Sequence, residues 1–187
     1  MFAYCNNSPV SCVDSLGTTP IDISIYFLNY WLSGNGEDLY FDEGTDISAA
    51  FKNSPTTQAK INTELQKYIN GESYGKTSIM YTSSEPDLWL SARNANCVIT
   101  ISESSRYSRS YGILTKDTVY SIDVTISDFY NFNSPHDSGD GIGSTLNNIA
   151  YYAHALGYGT DYNWKVHFTC TKAASKTLKH TNPEFLK

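Results

Sequence analysis

The stretch Val119-Tyr-Ser-Ile-Asp-Val-Thr-Ile126 is the strongest secondary-structure signal in this chain. Its large apolar side chains occupy every second position and alternate with Ser, Asp and Thr, which is the pattern of a β-strand with one buried face. The stretches Cys97–Ile101 and Tyr162–Cys170 show the same alternation. Strands with one apolar and one polar face are typical of an antiparallel sheet that is covered on one side.

Helical patterns surround these strands. The segments predicted as helices are Ile21–Leu32, Asp46–Asn53, a longer one that begins at Ser54-Pro55 and ends at Asn70-Gly71, and Thr145–Leu156. Their ends carry the usual signals, such as proline in the first turn and glycine after the last turn. The short apolar run Asp87–Ala92 is predicted as a strand. Helices that precede a run of strands, with one further helix late in the chain, predict an α+β domain with an antiparallel sheet.

Two of these helices have a predicted apolar face. The residues expected to share it are Ala59, Ile61, Leu65, Tyr68 and Ile69 in the longer helix, and Leu146, Ile149, Ala150 and Ala153 in the last helix. Such spacing places side chains on one side of a helix, where they can cover a sheet.

Composition divides the chain into three parts. Residues 1–20 are rich in Pro, Gly, Asn and Ser and are predicted to be a linker, residues 21–172 carry the helix and strand patterns, and residues 173–187 are predicted to be a polar tail. The longest apolar run, Ile25–Leu28, is too short to cross a bilayer. No basic segment followed by an apolar one opens the chain, so the sequence shows no secretory signal.

The charge of the chain disfavours one class of partner. Among its 187 residues, 13 Lys and Arg stand against 19 Asp and Glu, which gives a net charge of −6. Nucleic-acid binding depends on clustered basic residues, so nucleic acid is not a favoured partner.

The four cysteines do not have the spacing of a metal site. They are Cys5, Cys12, Cys97 and Cys170, of which the last two lie on predicted strands. A chain of this length with so few cysteines does not need a disulfide framework. We therefore expect buried free thiols, which behave as small apolar side chains.

The first seventeen residues resemble the end of the repeat core of Rhs/YD-repeat toxins. In that family Asn-Pro-Val is followed shortly by Asp-Pro-x-Gly; here the chain has Asn7-Ser8-Pro9-Val10 and then Asp14-Ser15-Leu16-Gly17, with Ser15 in place of the proline. A variable C-terminal toxin follows the core in that family. The resemblance implies that the residues from 21 onward are a toxin domain that is secreted and delivered into target cells.

Polar groups that can carry chemistry concentrate between Ser127 and Gly141, directly after the strongest strand and before the last helix. Catalytic residues are often found in such segments, because the rigid elements on both sides fix their positions. An Asp can orient water or bind a cation, and a His can transfer a proton near neutral pH. The alternative is a polar loop in which Asp128 caps a turn.

Part of this segment resembles the active site of colicin M-type bacteriocins. The family motif is Asp-x-Tyr-Asp, then Asn within two residues, then His-Arg, and this chain reads Asp128-Phe-Tyr-Asn-Phe-Asn-Ser-Pro-His136. Asp128 and Tyr130 match directly, and His136 matches after a gap of one residue. Upstream, Leu28–Gly36 resembles a helix-ending segment of the same family.

The resemblance implies a set of site residues. Asp128, Tyr130, Asn131 and His136 would be the catalytic group, and Asn133, Asp137 and Asp140 would contact the substrate. Asp128 would activate water or hold a divalent cation, Mg²⁺ or Ca²⁺. Asn131 stands where the family has a second Asp, which removes a charge, and Asp137 stands where it has Arg, which removes a phosphate-binding fork.

The function that this resemblance implies is hydrolysis of lipid II, the peptidoglycan precursor, at its undecaprenyl–pyrophosphoryl linkage. The toxin would act at the periplasmic or outer face of the cytoplasmic membrane, in contact with the membrane surface, and a cognate immunity protein would be its partner. Two alternatives remain at this point. One is a nuclease toxin with His136 as acid and base, and the other is a non-enzymatic toxin that binds or perforates an envelope target.

Overall fold

The stretch around Val119 lies in the middle strand of a five-stranded sheet. The structure is a computed structural model that describes residues 22–34, 36–110, 113–132 and 142–178. The elements in chain order are α1 (Asp22–Ser33), β1 (Leu39–Phe41), α2 (Asp46–Asn53), α3 (Pro55–Asn70), β2 (Lys76–Met80), α4 (Pro86–Ala92), β3 (Asn94–Ser110), β4 (Ile113–Tyr130), α5 (Ile142–Ala155) and β5 (Tyr162–Leu178). The strand order is β1-β5-β4-β3-β2. The predicted α+β class is confirmed, with one difference in the sheet: β1 runs parallel to β5, and the other pairs are antiparallel.

The core lies between one face of the sheet and the helices. In one row across the three long strands, Ile99, Val124 and Phe168 are direct partners, and none is more than 2% exposed. The helices contribute fully buried side chains to the same core, among them Phe27 and Trp31 of α1, Phe51 of α2 and Ile61 of α3. The predicted alternation in β3, β4 and β5 is therefore confirmed.

The boundary between α2 and α3 is set by Ser54. Its backbone N–H donates to the carbonyl of Phe51 at the end of α2, and its hydroxyl accepts from the Thr57 N–H in the first turn of α3. Proline follows directly and cannot donate to the preceding helix, so one helix ends and the next begins within a single residue. The sequence predicted both of these boundaries correctly.

The predicted strand Asp87–Ala92 is wrong, because this segment is helix α4. In a short apolar run, the periodicity of the sequence does not distinguish a buried strand from a buried helix segment. In the structure Leu88, Ser91 and Ala92 are buried at helical spacing. The Asp87 carboxylate accepts hydrogen bonds from the backbone N–H groups of Ile23 and Ser24, at 3.3 and 2.9 Å, and so joins α4 to the first turn of α1.

The predicted helix faces are partly wrong. In α3, Ile61 and Leu65 are buried, but Ala59 is exposed and Ile69 is 46% exposed. Glu64 takes a buried position instead, because Lys67 and the Gly75 N–H donate to its two carboxylate oxygens.

In the last helix, α5, Ala150 is buried and Ala153 is partly buried, whereas Ile149 is 62% exposed. The side chain of Leu146 lies outside the described set. Within residues 148–155, the side chains that reach the core are therefore the small ones of Ala150 and Ala153.

Strand β5 extends into the segment that was predicted as a polar tail. It continues to Leu178 and pairs with β4 along its whole length. Cys97 is a buried free thiol, as predicted, and Cys170 is a free thiol that is half-buried; Cys5 and Cys12 lie outside the described residues, as does the predicted linker of residues 1–20.

Gly159 lies in the turn from α5 to β5 with a φ of 78°, and a Cβ added there would lie 2.5 Å from three ring atoms of Trp31. Gly157 has a similar φ of 85° but nothing within 4 Å of its added Cβ. The two positions share the backbone conformation that disfavours L side chains. They differ in the contact with the indole ring.

We expect Gly159→Ala to destabilise the protein by about 1–3 kcal/mol more than Gly157→Ala, because only the first forces Trp31 to move. The measurement is the free energy of unfolding of both variants in urea. Equal losses would mean that Gly159 is needed only for its backbone conformation.

Candidate functional site

Asp128 lies on the core face of the sheet, near the end of β4, and not in a loop. Its direct partner on β5 is Trp164, which is 1% exposed. The carboxylate is half-buried, and this burial raises its pKa, although a hydrogen bond from the Phe129 backbone acts in the opposite direction. A partly desolvated carboxylate with a raised pKa is suited to exchange protons with a substrate or with water.

Tyr130 ends the same strand and shares the face of Asp128. Its ring is stacked on Tyr162 at 5.2 Å between centroids and makes edge contacts with Phe27 and Phe132. Burial raises the pKa of its hydroxyl, so the phenol stays protonated and can donate a hydrogen bond. The ring is also a structural part of the core, which the sequence did not indicate.

The remaining predicted site residues lie at or beyond the end of β4. Asn131 directly follows the strand and is exposed. Asn133, His136, Asp137 and Asp140 lie outside the described residues. The structure therefore places Asp128 and Tyr130 two positions apart on one strand face, about 7 Å along the strand.

A second polar group lies beside these residues and was missed in the sequence. The indole N–H of Trp31 donates to an Asp161 carboxylate oxygen at 3.0 Å, and the imidazole of His154 lies 3.9 Å from the same oxygen. Trp31 also contacts Phe132 edge to face at 4.7 Å. This group connects α1 and α5 to the end of β4. Trp31 and Asp161 are 130 positions apart in the chain, so the sequence spacing gives no sign of this group.

Within the described residues, no group of three or more His, Cys, Asp or Glu side chains is arranged to hold a metal ion. Asp128 therefore belongs to no such group in that part of the chain. In the same residues, no helix has the length and apolar character that a membrane span requires.

The outer face of the sheet carries a separate cluster around His167. Its Nε2 lies 2.8 Å from an Asp123 oxygen, and its Nδ1 lies 3.5 Å from an Asp42 oxygen. These contacts raise the pKa of the imidazole, and the hydrogen bond with Asp123 has the largest effect. The cluster joins the segment after β1 to strands β4 and β5.

We expect the pKa of His167 to lie above the usual value of about 6.5. A raised pKa means that the cluster stabilises the fold fully below the unfolded-state pKa and loses this contribution as the pH rises through the folded-state pKa. NMR titration of the imidazole measures the value directly. Asp123→Asn should lower it more than Asp42→Asn, because the contact with Asp123 is shorter; the opposite order would contradict the geometry.

Comparisons with known proteins find likeness only among solved structures. No protein-family model matches the chain, and no curated protein does. Truncated syringacin M from Pseudomonas syringae pv. tomato DC3000 aligns at 16% identity and a TM-score of 0.41 over 85% of this chain. PaeM, a colicin M-like bacteriocin of Pseudomonas aeruginosa, aligns at 14% identity and a TM-score of 0.40, also over 85%.

The alignments span 61% of the syringacin M chain and 52% of the PaeM chain. Both TM-scores are below the level at which two chains are taken to share a fold. We therefore base no assignment on them.

Proposed function

We propose that this chain is an antibacterial toxin that hydrolyses lipid II at the undecaprenyl–pyrophosphoryl linkage. The observation that carries the proposal is the position of Asp128. The first residue of a colicin M-type motif is a half-buried carboxylate with a raised pKa, and the matching Tyr130 lies beside it on the same strand face.

Asp128 acts in this proposal as the general base. Its carboxylate removes a proton from a water molecule as the water oxygen attacks the phosphorus atom next to the lipid. The bond from that phosphorus to the prenyl oxygen breaks, and His136 supplies the proton that the leaving oxygen takes up. The products are the free polyprenol and the pyrophosphorylated head group, so one water is consumed for each bond cleaved. General base catalysis of this kind requires the ionised form of Asp128.

Tyr130 and Asn131 position the pyrophosphate in the proposal. The protonated phenol of Tyr130 and the side-chain amide of Asn131 are both hydrogen-bond donors that suit phosphate oxygens. Asn133, Asp137 and Asp140 are proposed to contact the remainder of the substrate. An Asp at position 131, as in the family motif, would repel an anionic substrate. The neutral Asn131 does not.

Among the described residues, the motif predicts one cation ligand, Asp128. No three-ligand group exists among them, so no step of the mechanism is assigned to Mg²⁺ or Ca²⁺. A cognate immunity protein, contact with the membrane surface, and action at the periplasmic or outer face of the cytoplasmic membrane belong to the same proposal.

The direct test is incubation of the purified protein with lipid II in detergent, with Mg²⁺, with Ca²⁺ and with a chelator in parallel. The expected result is release of the polyprenol, detected by chromatography and mass spectrometry. Intact lipid II under all three conditions would refute the proposal, and degradation of an RNA sample in the same buffers would favour a nuclease instead.

A further inference from the structure

The three long strands continue beyond most of the helix layer as a three-stranded sheet whose two outer strands are exposed. We call this part the β extension: residues 102–110 of β3, 113–121 of β4 and 171–178 of β5. Every residue of its β3 part is exposed, and six of the eight residues of its β5 part are exposed. Its β4 part is more covered, since Thr118 and Tyr120 are buried. Helix α3 reaches the inner end, where Tyr68 contacts Tyr120 and Lys172 Nζ donates to the Gln58 side chain. At a rise of about 3.3 Å per residue, nine residues span about 30 Å.

The outer edges of the β extension are open within the described chain. Strand β2 pairs with β3 only as far as Val98, and β1 pairs with β5 only as far as Val166. Backbone N–H and C=O groups at an open edge are able to pair with another chain. Exposed outer strands with open edges have the character of an interface.

The charge of the β extension is opposite to that of the chain. It holds five of the 13 Lys and Arg residues but only two of the 19 Asp and Glu residues, so its net charge is +3 while the rest of the chain carries −9. No carboxylate of a described residue forms an ion pair with any of these five basic side chains.

Four of the five basic residues share one face. Cross-strand register places Arg109, Lys116, Lys172 and Lys176 on the same side, together with one acidic residue, Glu103. Lys116 and Lys176 are direct partners on adjacent strands. Like charges in that position destabilise a sheet, so a bound anionic group would relieve a repulsion that the fold itself contains.

The basic face is recessed, which bears on the kind of partner. On β4, the face that carries Lys116 is the same face that is buried between Tyr120 and Ile126. The basic face therefore lies on the side of the sheet that the helices cover. A helix with its side chains is about 10–12 Å in diameter, so the helix layer forms a step above the sheet. A flat bilayer cannot lie on a face beside such a step, whereas a folded protein can fit into the corner.

The apolar and aromatic residues of the β extension also suit a protein. Tyr107 is 60% exposed and lies in one row with Lys116 and Lys176. Arginine and tyrosine are enriched in protein interfaces, and Arg109 lies on the same face as Tyr107.

We propose that the basic face of the β extension is the docking surface for an acidic protein partner. Lys116 lies twelve residues before Asp128 on β4, about 40 Å along the strand. The partner therefore docks away from the proposed catalytic group, and the proposal does not depend on lipid II hydrolysis.

Selection of twelve-residue peptides from a random displayed library on the whole protein tests this. The expected result is a set of sequences enriched in Asp and Glu, whose binding weakens about tenfold when two charges are removed in Lys116→Gln/Lys176→Gln. The matched control is Lys76→Gln/Arg93→Gln, which removes the same charge from the body of the protein and should leave the binding unchanged. Thermal melting confirms that both double variants are folded.

Several outcomes would overturn the proposal. Selected peptides without acidic enrichment, or equal weakening in both double variants, would show that the basic face is not the docking surface. Tighter binding to a single-stranded DNA oligonucleotide or to phosphatidylglycerol vesicles, sensitive to Lys116→Gln/Lys176→Gln, would assign the face to that class of ligand. Self-association in ultracentrifugation that the same variant abolishes would assign it to a second copy of this chain.

Discussion

Asp128→Asn is expected to lower the proposed hydrolysis of lipid II by at least about 100-fold, because it removes the proposed general base and keeps the size of the side chain. The same change should leave the protein at least as stable as before. The pKa of Asp128 is raised by burial, so the carboxyl contributes stability below its unfolded-state pKa and this contribution is lost as the pH rises through the folded-state pKa. At pH 7 the uncharged amide of Asn therefore avoids the desolvation cost of burying the ionised carboxylate.

The matched control is Asp123→Asn, the same substitution on the outer face of the same strand. It should leave hydrolysis unchanged and lower the melting temperature, because Asp123 forms the short contact with His167. Rates on lipid II and melting curves at neutral pH check both variants. Full activity in Asp128→Asn would refute the proposed mechanism and leave Asp128 as a polar residue at the end of a strand.

Phe168→Ala is expected to destabilise the protein by about 3–5 kcal/mol, which is the usual cost of removing a fully buried phenylalanine side chain. Phe168 has no exposed surface and lies in the row with Val124 and Ile99. The cavity that the substitution leaves lies under the helices, where the rigid strands limit any collapse. Chemical unfolding measured by fluorescence provides the free energy.

Phe129→Ala is the natural comparison, because Phe129 lies on the outer face of the sheet and is 47% exposed. Its loss should cost at most about 1 kcal/mol, as expected for a surface position. If the two substitutions cost the same, the assignment of the two faces of the sheet would be wrong.

The strands were predictable from the sequence because their alternation has a single physical cause. One face of each long strand is buried, so Tyr120, Ile122, Val124 and Ile126 had to alternate with polar residues. The helix starts at Asp46 and Pro55 were predictable for a similar reason, since capping residues act locally. These features depend on neighbours within a few positions along the chain.

The features that the sequence did not reveal depend on distant contacts. Residues 87–92 form a helix whose Asp87 receives hydrogen bonds from α1, a contact between segments more than sixty positions apart. The parallel pairing of β1 with β5 and the length of β5 beyond Cys170 are also tertiary effects.

In the candidate site, the sequence indicated Asp128 and Tyr130 through a motif. It gave no sign that Trp31, His154 and Asp161 come together beside them. The predicted roles of His136, Asn133, Asp137 and Asp140, and the likeness of residues 1–17 to an Rhs core, stay predictions.

The place of β5 between β4 and β1 has a consequence for how the chain acquires its structure. Leu39 has its strand partner at Trp164, so the N-terminal elements cannot complete their side of the core until nearly the whole chain is present. Pairings between such distant segments slow folding, because a large loop must close before any contact is gained. A chain that leaves a ribosome or a narrow channel with its N-terminus first would carry α1, β1 and α2 without their main packing partner. The domain is therefore expected to form in one late step, when β5 inserts between its two neighbours.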